Sequence, residues 1–224
     1  LSRLTTTTDP AALASVDVVI EAVTEREDIK RQVFEELDRV LAPEAILATN
    51  TSSLSVTRLA GHTSRPDRVA GLHFFNPVHR MPLVEIAVTD RTDEATVARL
   101  VRLVRELGKT PLVVTDAPGF LVNRVLFGYF DEAIRMVCDG VGADEIDRDL
   151  RRFGMPMGPL ELLDQVGLDV AAHVAAGLAD VLTDPGATTE RLVAMVERGW
   201  LGTKSGTGFY EYAGGKKRSP SRWE

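Results

Sequence analysis

The sequence is poor in several features, and each absence excludes a class of protein. Its 224 residues include one cysteine, Cys138, so an internal disulfide is excluded and with it a disulfide-stabilised secreted scaffold. This cysteine lies in the apolar pattern of a predicted helix, which favours a packed thiol. No apolar run approaches the roughly 20 residues that span a bilayer, and no secretory signal opens the chain. We therefore expect a soluble protein of a reducing compartment, the cytoplasm.

The chain also lacks an excess of positive charge and a metal-binding pattern. Its formal net charge is −7 at pH 7, which gives no support for binding to nucleic acid or to an anionic membrane. No cluster of His, Cys and Asp residues has the spacing of metal ligands, so no metal is expected. The basic stretch within residues 214–221 is interpreted as a flexible, solvent-exposed linker or terminus.

A further absence concerns the motif of dinucleotide-binding folds. That motif, G-x-G-x-x-G after a first strand, does not occur, and Gly202, Gly206 and Gly208 have a different spacing. The chain starts at Leu1 without a methionine and runs through a Thr-rich segment straight into a predicted strand. Either this is not a dinucleotide fold, or the first βαβ unit lies upstream of Leu1. We expect a fragment, or a chain whose beginning is not shown.

What is present in the first half is an alternation of strand and helix patterns. Short apolar, β-branched runs predict strands, and apolar residues at helical spacing predict helices between them. The strands are expected at 17–23, 45–49, 69–74, 83–88 and 111–114, and the helices at 27–41 and 93–107. This alternation predicts an α/β domain with a largely parallel sheet over residues 1–115. The polar turn at 50–53 follows a strand, where such sheets bind ligands.

The second half changes character near Asp116. Its patterns are helical, and no strand is expected in it. The predicted helices are 120–138, 143–153, 159–166, 168–182 and 188–198. We therefore place a domain boundary near residue 116 and predict an all-helical domain over residues 116–224.

The stretch 71–86 carries the clearest chemical signal. His73 ends one apolar strand, a turn containing Pro77 follows, and Glu85 lies within the next apolar strand. Histidine is the commonest base near neutral pH. A carboxylate bonded to its other ring nitrogen would fix the tautomer and stabilise the imidazolium. From spacing alone, a core histidine and a solvent-facing strand glutamate remain the favoured interpretation.

Five motifs, taken together, resemble the L-3-hydroxyacyl-CoA dehydrogenase family in their order and spacing. They are Asn50-Thr51-Ser52-Ser53, His73-Phe74-Phe75-Asn76-Pro77, the segment 118–124, Pro156-Met157-Gly158-Pro159 and the segment 204–210. The stretches 79–86 and 123–127 look most like the dehydrogenase part of the multifunctional α subunit of bacterial fatty-acid oxidation complexes. Single-function 3-hydroxybutyryl-CoA dehydrogenases are the close second.

This resemblance implies a fold and a reaction. The fold is α/β: an incomplete Rossmann-type NAD-binding domain over residues 1–115, without its first βαβ unit, followed by a helical C-terminal 3-hydroxyacyl-CoA dehydrogenase domain over 116–224. The reaction is the NAD-dependent oxidation of L-3-hydroxyacyl-CoA to 3-oxoacyl-CoA in fatty-acid β-oxidation. The implied partners are the acyl-CoA substrate and either a second copy, bound through the helical domain, or a multifunctional β-oxidation complex.

The resemblance also implies site residues. His73 matches the general base and Glu85 its orienting carboxylate, while Ser52 and Asn123 match residues that bind the substrate. The positions that match cofactor contacts are Val23, Thr24, Glu25, Lys30, Ser52, Asn76 and Lys204. Two alternatives stay open: a dehydrogenase of 6-phosphogluconate or another 3-hydroxy acid, and a truncated, non-catalytic chain that folds and self-associates.

Overall fold

The computed structural model describes residues 4–178 and 185–221, and the chain divides into two compact units, Leu1–Leu121 and Val122–Glu224. None of the helices within the described ranges is long and apolar enough to cross a membrane.

The first unit is built on a five-stranded sheet flanked by helices. Its strands follow the spatial order β1 (Val18–Glu21), β2 (Ile46–Thr49), β3 (Val69–Phe74), β4 (Leu83–Val88) and β5 (Thr110–Thr115). Its helices are α1 (Glu27–Val40), α2 (Val56–Ala60) and α3 (Glu94–Glu106), with short 3-10 turns at Pro10–Leu13 and Pro66–Arg68. The predicted fold class, α/β with a largely parallel sheet, is confirmed; α2 and the 3-10 turns were not predicted.

Burial on both faces of the sheet explains why its three central strands, β2, β3 and β4, are largely apolar. Successive residues of β2 point to opposite faces. Leu47 packs with Phe34 of α1 in one cluster, and Ile46 packs with Leu100 of α3 in another. A parallel sheet covered on both sides has no solvent face, so its strands need no alternation with polar residues.

The pair β3–β4 is the exception to the parallel pattern, and it determines the site. β1–β2, β2–β3 and β4–β5 are parallel, whereas β3–β4 is antiparallel. Residues 75–82 join these two strands, and this turn is too short for a parallel crossover, which needs about a dozen residues or more. The hairpin register that results places His73 directly opposite Glu85.

The second unit is mainly helical but also contains a β-hairpin. Its helices are α4 (Val122–Cys138), α5 (Ala143–Phe153), α6 (Pro159–Val166), α7 (Leu168–Gly177) and α8 (Pro185–Glu197), and its strands are β6 (Tyr210–Ala213) and β7 (Lys216–Pro220). The expectation that this half has no strand is therefore wrong, and so is the interpretation of residues 214–221 as a flexible linker. Positions 179–182 of the helix predicted at 168–182 lie outside the described residues.

The hairpin turn shows why the prediction failed. Gly214 and Gly215 both have positive φ, of 60° and 72°, as a tight two-residue hairpin turn requires. The Gly-Gly pair was the available signal, but the charge of β7 masked it. Cys138 is also a correction, because its thiol is exposed rather than packed. Helix α4 ends at this residue, and Val137 takes the buried position.

The hairpin is fastened to α6 by a buried carboxylate. Asp164 accepts the backbone N–H groups of Phe209 and Tyr210, both at 2.9 Å, and the hydroxyl of Tyr212 at 3.1 Å. A Cβ on Gly208 would collide with the Asp164 carboxylate, so this close approach requires glycine at position 208. Burial raises the pKa of Asp164 to about 6, although these hydrogen bonds oppose the rise.

Candidate active site

The carboxyl ends of β1, β2 and β3 meet at one edge of the sheet, because these three strands are parallel. A cavity of about 290 Å³ opens at this edge. Its lining includes several of the predicted site residues, namely Val23, Glu25, Ser52, His73 and Asn76, together with Asn50, Thr51 and Phe74. In doubly wound sheets, the carboxyl edge is where ligands bind. The structure thus brings most of the first unit's predicted site residues into one cavity.

One wall of this cavity includes His73, which is paired with the buried Glu85. His73 Nδ1 lies 2.8 Å from Glu85 Oε2, and the two side chains face each other across β3 and β4. Glu85 is completely buried and His73 is 7% exposed, so the solvent-facing glutamate of the alternative interpretation is excluded. The second carboxylate oxygen, Oε1, accepts the N–H of Leu121 at 3.0 Å. With Nδ1 bonded to a carboxylate, Nε2 is the ring nitrogen that can accept a proton.

Two aromatic rings hold the imidazole from its sides. The ring of Phe75 lies 4.6 Å from that of His73 between centroids, and the ring of Phe120 lies 5.6 Å away. Both are tilted contacts, with interplanar angles of 57° and 55°. These rings shield the His73–Glu85 hydrogen bond from water, which strengthens an electrostatic contact.

The opposite wall is organised by Glu25. Its Oε1 accepts the Thr51 hydroxyl at 2.5 Å, the Ser52 N–H at 2.9 Å and the Ser53 N–H at 3.2 Å. Burial acts to raise the pKa of Glu25, but these hydrogen bonds and the charge of Lys30 outweigh it, so the pKa lies below its ordinary value. Glu25 is therefore ionised at neutral pH, and it fixes the turn that places Ser52 at the cavity.

Lys30 lies behind this wall. The side chain is completely buried, and its ammonium lies 2.8 and 2.9 Å from the two carboxylate oxygens of Glu21 and 3.6 Å from Glu25 Oε2. Glu21 also accepts the Thr49 hydroxyl at 2.6 Å. Lys30 thus neutralises two carboxylates at the end of β1. Its predicted contact with a cofactor stays a prediction.

The two asparagines of the cavity differ in how they are held. Asn50 Oδ1 accepts the N–H of Phe74 at 3.0 Å, which ties the end of β2 to the end of β3. Asn76 is exposed on the turn after β3, and Lys109 supports that turn by donating to the carbonyls of Val78 and Met81 at 2.6 and 2.7 Å. Sequence reasoning singled out neither Lys109 nor the Leu121 amide. Lys109 follows a glycine at a helix end, which is a common place for a lysine, and a backbone N–H has no sequence signature.

The remaining predicted residues lie outside this cavity's lining. Thr24 is exposed beside Val23. Asn123 is half-buried near the start of α4, and Lys204 pairs with Asp169, both in the second unit. Their roles toward substrate and cofactor stay predictions. Over the ranges that the structure describes, no group of three or more His, Cys, Asp or Glu side chains could hold a metal ion.

Comparison with models of known protein families identifies the family of the chain. Residues 1–117 match the model of the NAD binding domain of 3-hydroxyacyl-CoA dehydrogenase, and residues 119–212 match that of its C-terminal domain. The chain belongs to the 3-hydroxyacyl-CoA dehydrogenase family. The family predicted from the five sequence motifs is thereby confirmed.

Relatives and solved structures agree with this family. The chain is 42% identical to the fatty acid oxidation complex subunit alpha of Psychrobacter arcticus over 99% of its own length, and 44% identical to that of Acinetobacter baumannii strain AYE over 97%. It spans only 31% and 30% of the length of these two relatives.

Two solved structures resemble the chain. FadB2 of M. tuberculosis is 44% identical with a TM-score of 0.87, and the (S)-3-hydroxybutyryl-CoA dehydrogenase PaaH1 of Ralstonia eutropha is 39% identical with a TM-score of 0.87. Each match covers 92% of this chain and 74% of the other.

Proposed function

We propose that the protein containing this chain oxidises L-3-hydroxyacyl-CoA to 3-oxoacyl-CoA with NAD, as a step of fatty-acid β-oxidation. The observation that carries the proposal is the buried His73–Glu85 pair beside Ser52 in a cavity at the carboxyl edge of the sheet. This is the arrangement that removal of a hydroxyl proton needs: a base, a charge that stabilises its protonated form and a polar partner for the substrate oxygen. Membership of the dehydrogenase family supports it.

In this mechanism His73 Nε2 accepts the proton of the substrate's 3-hydroxyl group. Glu85 holds the Nδ1–H and stabilises the imidazolium that forms. The Ser52 hydroxyl donates to the same substrate oxygen, and Asn123 is the second residue proposed to bind the acyl-CoA. The chemistry that NAD would supply when bound is acceptance of the hydride that leaves C3.

The residues of the cavity fit the nicotinamide end of NAD. Glu25 is an ionised acceptor suited to ribose hydroxyls, and the Asn76 amide can both donate to and accept from a carboxamide. Val23 and Thr24 would border the same end of the cofactor, and Lys30 would support it through Glu25. Lys204 is a further residue proposed to contact the cofactor. We also propose a cytoplasmic location. For the assembly we propose either a homodimer through the helical unit or a place in a fatty acid oxidation complex, and the second of these is what the names of the relatives suggest.

The experiment that tests this function replaces the base. In the full-length protein, His73→Gln should lower kcat for oxidation of a 3-hydroxyacyl-CoA by about 10²–10⁴-fold, because a positioned base contributes about that much. NAD affinity should change little. His62→Gln is the matched control, since this histidine is 37% exposed at its side chain and lies outside the cavity lining. A His73→Gln enzyme with activity within about threefold of the parent would remove this residue from the mechanism.

A further inference from the structure

The turn after β5 contains an unusual backbone conformation. Phe120 has a φ of 49°, and it is the one non-glycine residue with positive φ in the part of the chain that the structure describes. Its side chain is buried, 3% exposed. A bulky residue in the left-handed region is disfavoured by sterics and persists only when its surroundings enforce it. The contacts of Phe120 and its neighbour show what this conformation achieves.

Two consecutive residues of this turn contact the two members of the His73–Glu85 pair. The ring of Phe120 packs against the imidazole of His73, with 5.6 Å between centroids. The N–H of Leu121 donates to Glu85 Oε1 at 3.0 Å, while Oε2 faces His73. The side chain of Leu121 is 46% exposed, so it is the amide of this residue that serves the site.

The turn is fixed on its N-terminal side as well. The N–H of Phe120 donates to the carbonyl of Ala117 at 2.9 Å. Just before it, the Asp116 carboxylate accepts the Ser55 hydroxyl at 3.0 Å and the Thr57 N–H at 2.8 Å at the start of α2. The turn therefore has little freedom to carry the Leu121 amide away from Glu85.

We propose that residues 117–121 are a positioning element for the His73–Glu85 pair, in which the left-handed conformation of Phe120 directs its ring at the imidazole and the next amide at the carboxylate. A buried carboxylate that accepts a second N–H is held in one rotamer, so Oε2 remains directed at Nδ1. Phe120 and Leu121 are positioning residues and take no part in proton transfer. The catalytic consequence rests on the proposed function, but the geometric one does not.

The test compares three variants by NMR. Phe120→Val keeps an apolar side chain, but a β-branched residue resists positive φ. Phe120→Gly keeps the left-handed conformation accessible and removes the ring. Leu121→Ala is the matched control, because it changes an exposed side chain and leaves the amide. The two readouts are hydrogen exchange of the residue-121 amide and the hydrogen-bonded Nδ1–H proton signal of His73.

In Phe120→Val the residue-121 amide should exchange about 10–100-fold faster, as expected for loss of a hydrogen bond to a charged group, and the Nδ1–H signal should broaden or disappear. Phe120→Gly should keep amide protection close to that of the parent, and Leu121→Ala should change neither readout. If Phe120→Val does not fold, Phe120→Gly decides alone: loss of amide protection there would overturn the proposal. Parent-like readouts in a folded Phe120→Val protein would overturn it too.

A turnover assay adds the functional consequence. In the full-length protein, Phe120→Val should lower kcat about 10–100-fold with little change in KM, because the substrate contacts remain while the base loses its orientation. An unchanged kcat in an active enzyme would overturn the positioning role. A parent protein without dehydrogenase activity would instead refute the proposed function and leave the NMR result standing.

Discussion

Glu85→Gln is the substitution that tests the His73–Glu85 pair most directly. It preserves size and removes one charge at a completely buried position. The carboxylate now faces two donors, His73 Nδ1–H at 2.8 Å and the Leu121 N–H at 3.0 Å. A glutamine has one acceptor for these two donors, because its other end is an NH₂ group. If the oxygen stays with Leu121, the NH₂ group faces Nδ1 and favours the tautomer that carries its proton on Nε2. That tautomer cannot accept a proton from the substrate.

The magnitude follows from the charge that is lost. Opposite unit charges whose centres lie about 4 Å apart interact by about 4 kcal/mol at an effective dielectric constant of about 20. The imidazolium exists after proton transfer and not before it, so this interaction favours the transition state over the ground state. At about 1.4 kcal/mol per factor of ten, its loss corresponds to roughly a 10³-fold lower kcat. The tautomer change acts in the same direction.

The assay is the appearance of NADH absorbance during oxidation of a 3-hydroxyacyl-CoA by the full-length protein, measured across pH. Glu106→Gln provides the control, since Glu106 lies on the surface of α3 with 58% of its side chain exposed. A Glu85→Gln enzyme with the parent's kcat would refute the catalytic role of the His73–Glu85 pair.

Two further predictions concern cofactor binding and stability. A polypeptide of residues 1–224 alone should bind NAD only weakly in a calorimetric titration, because it lacks the G-x-G-x-x-G turn that binds the pyrophosphate. A micromolar dissociation constant would contradict this. Because folding raises the pKa of Asp164 to about 6, its stability contribution is complete below about pH 4 and lost as the pH rises through about 6. In urea denaturation, the free energy of unfolding of the second unit should fall by about 3 kcal/mol between about pH 4 and pH 7 because of this group. Asp164→Asn should remove that pH dependence, and an equal pH dependence in both proteins would disprove the assignment.

The His73–Glu85 pair could be singled out from the sequence as a candidate because two local rules bring the two residues together, while the resemblance to the dehydrogenase family supplied their roles. Apolar runs mark β3 and β4, and the short turn between them forces an antiparallel hairpin. A carboxylate inside an apolar strand is unusual enough to suggest a partner. The sequence could not decide whether Glu85 faces solvent or core, since the burial of both sides of β4 depends on helices elsewhere in the chain.

Lys30 and Leu121 mark the limit of such reasoning. Lys30 matches a cofactor-contacting position, yet its ammonium lies between Glu21 and Glu25, and this depends on how far β1 extends before α1 begins. The contribution of Leu121 comes from its backbone, which every residue type possesses, so its identity carries no signal. The β6–β7 hairpin was missed for a different reason: a local Gly-Gly signal was present, but the composition around it resembled that of a solvated tail.

The first unit repeats one kind of hydrogen bonding in three places, and this bears on how the titration with NAD should be understood. Three carboxylates each accept backbone N–H groups from a turn distant in sequence: Glu25 from Ser52 and Ser53, Asp116 from Val56 and Thr57, and Glu85 from Leu121. All of these donors and acceptors lie within residues 4–121, so the cavity that we propose for the nicotinamide end of NAD is organised without any contribution from a pyrophosphate-binding turn. Weak binding of NAD to residues 1–224 would therefore report on the pyrophosphate end of the site. The His73–Glu85 pair should be intact in the same polypeptide, and the hydrogen-bonded Nδ1–H signal of His73 in the same sample would show this directly.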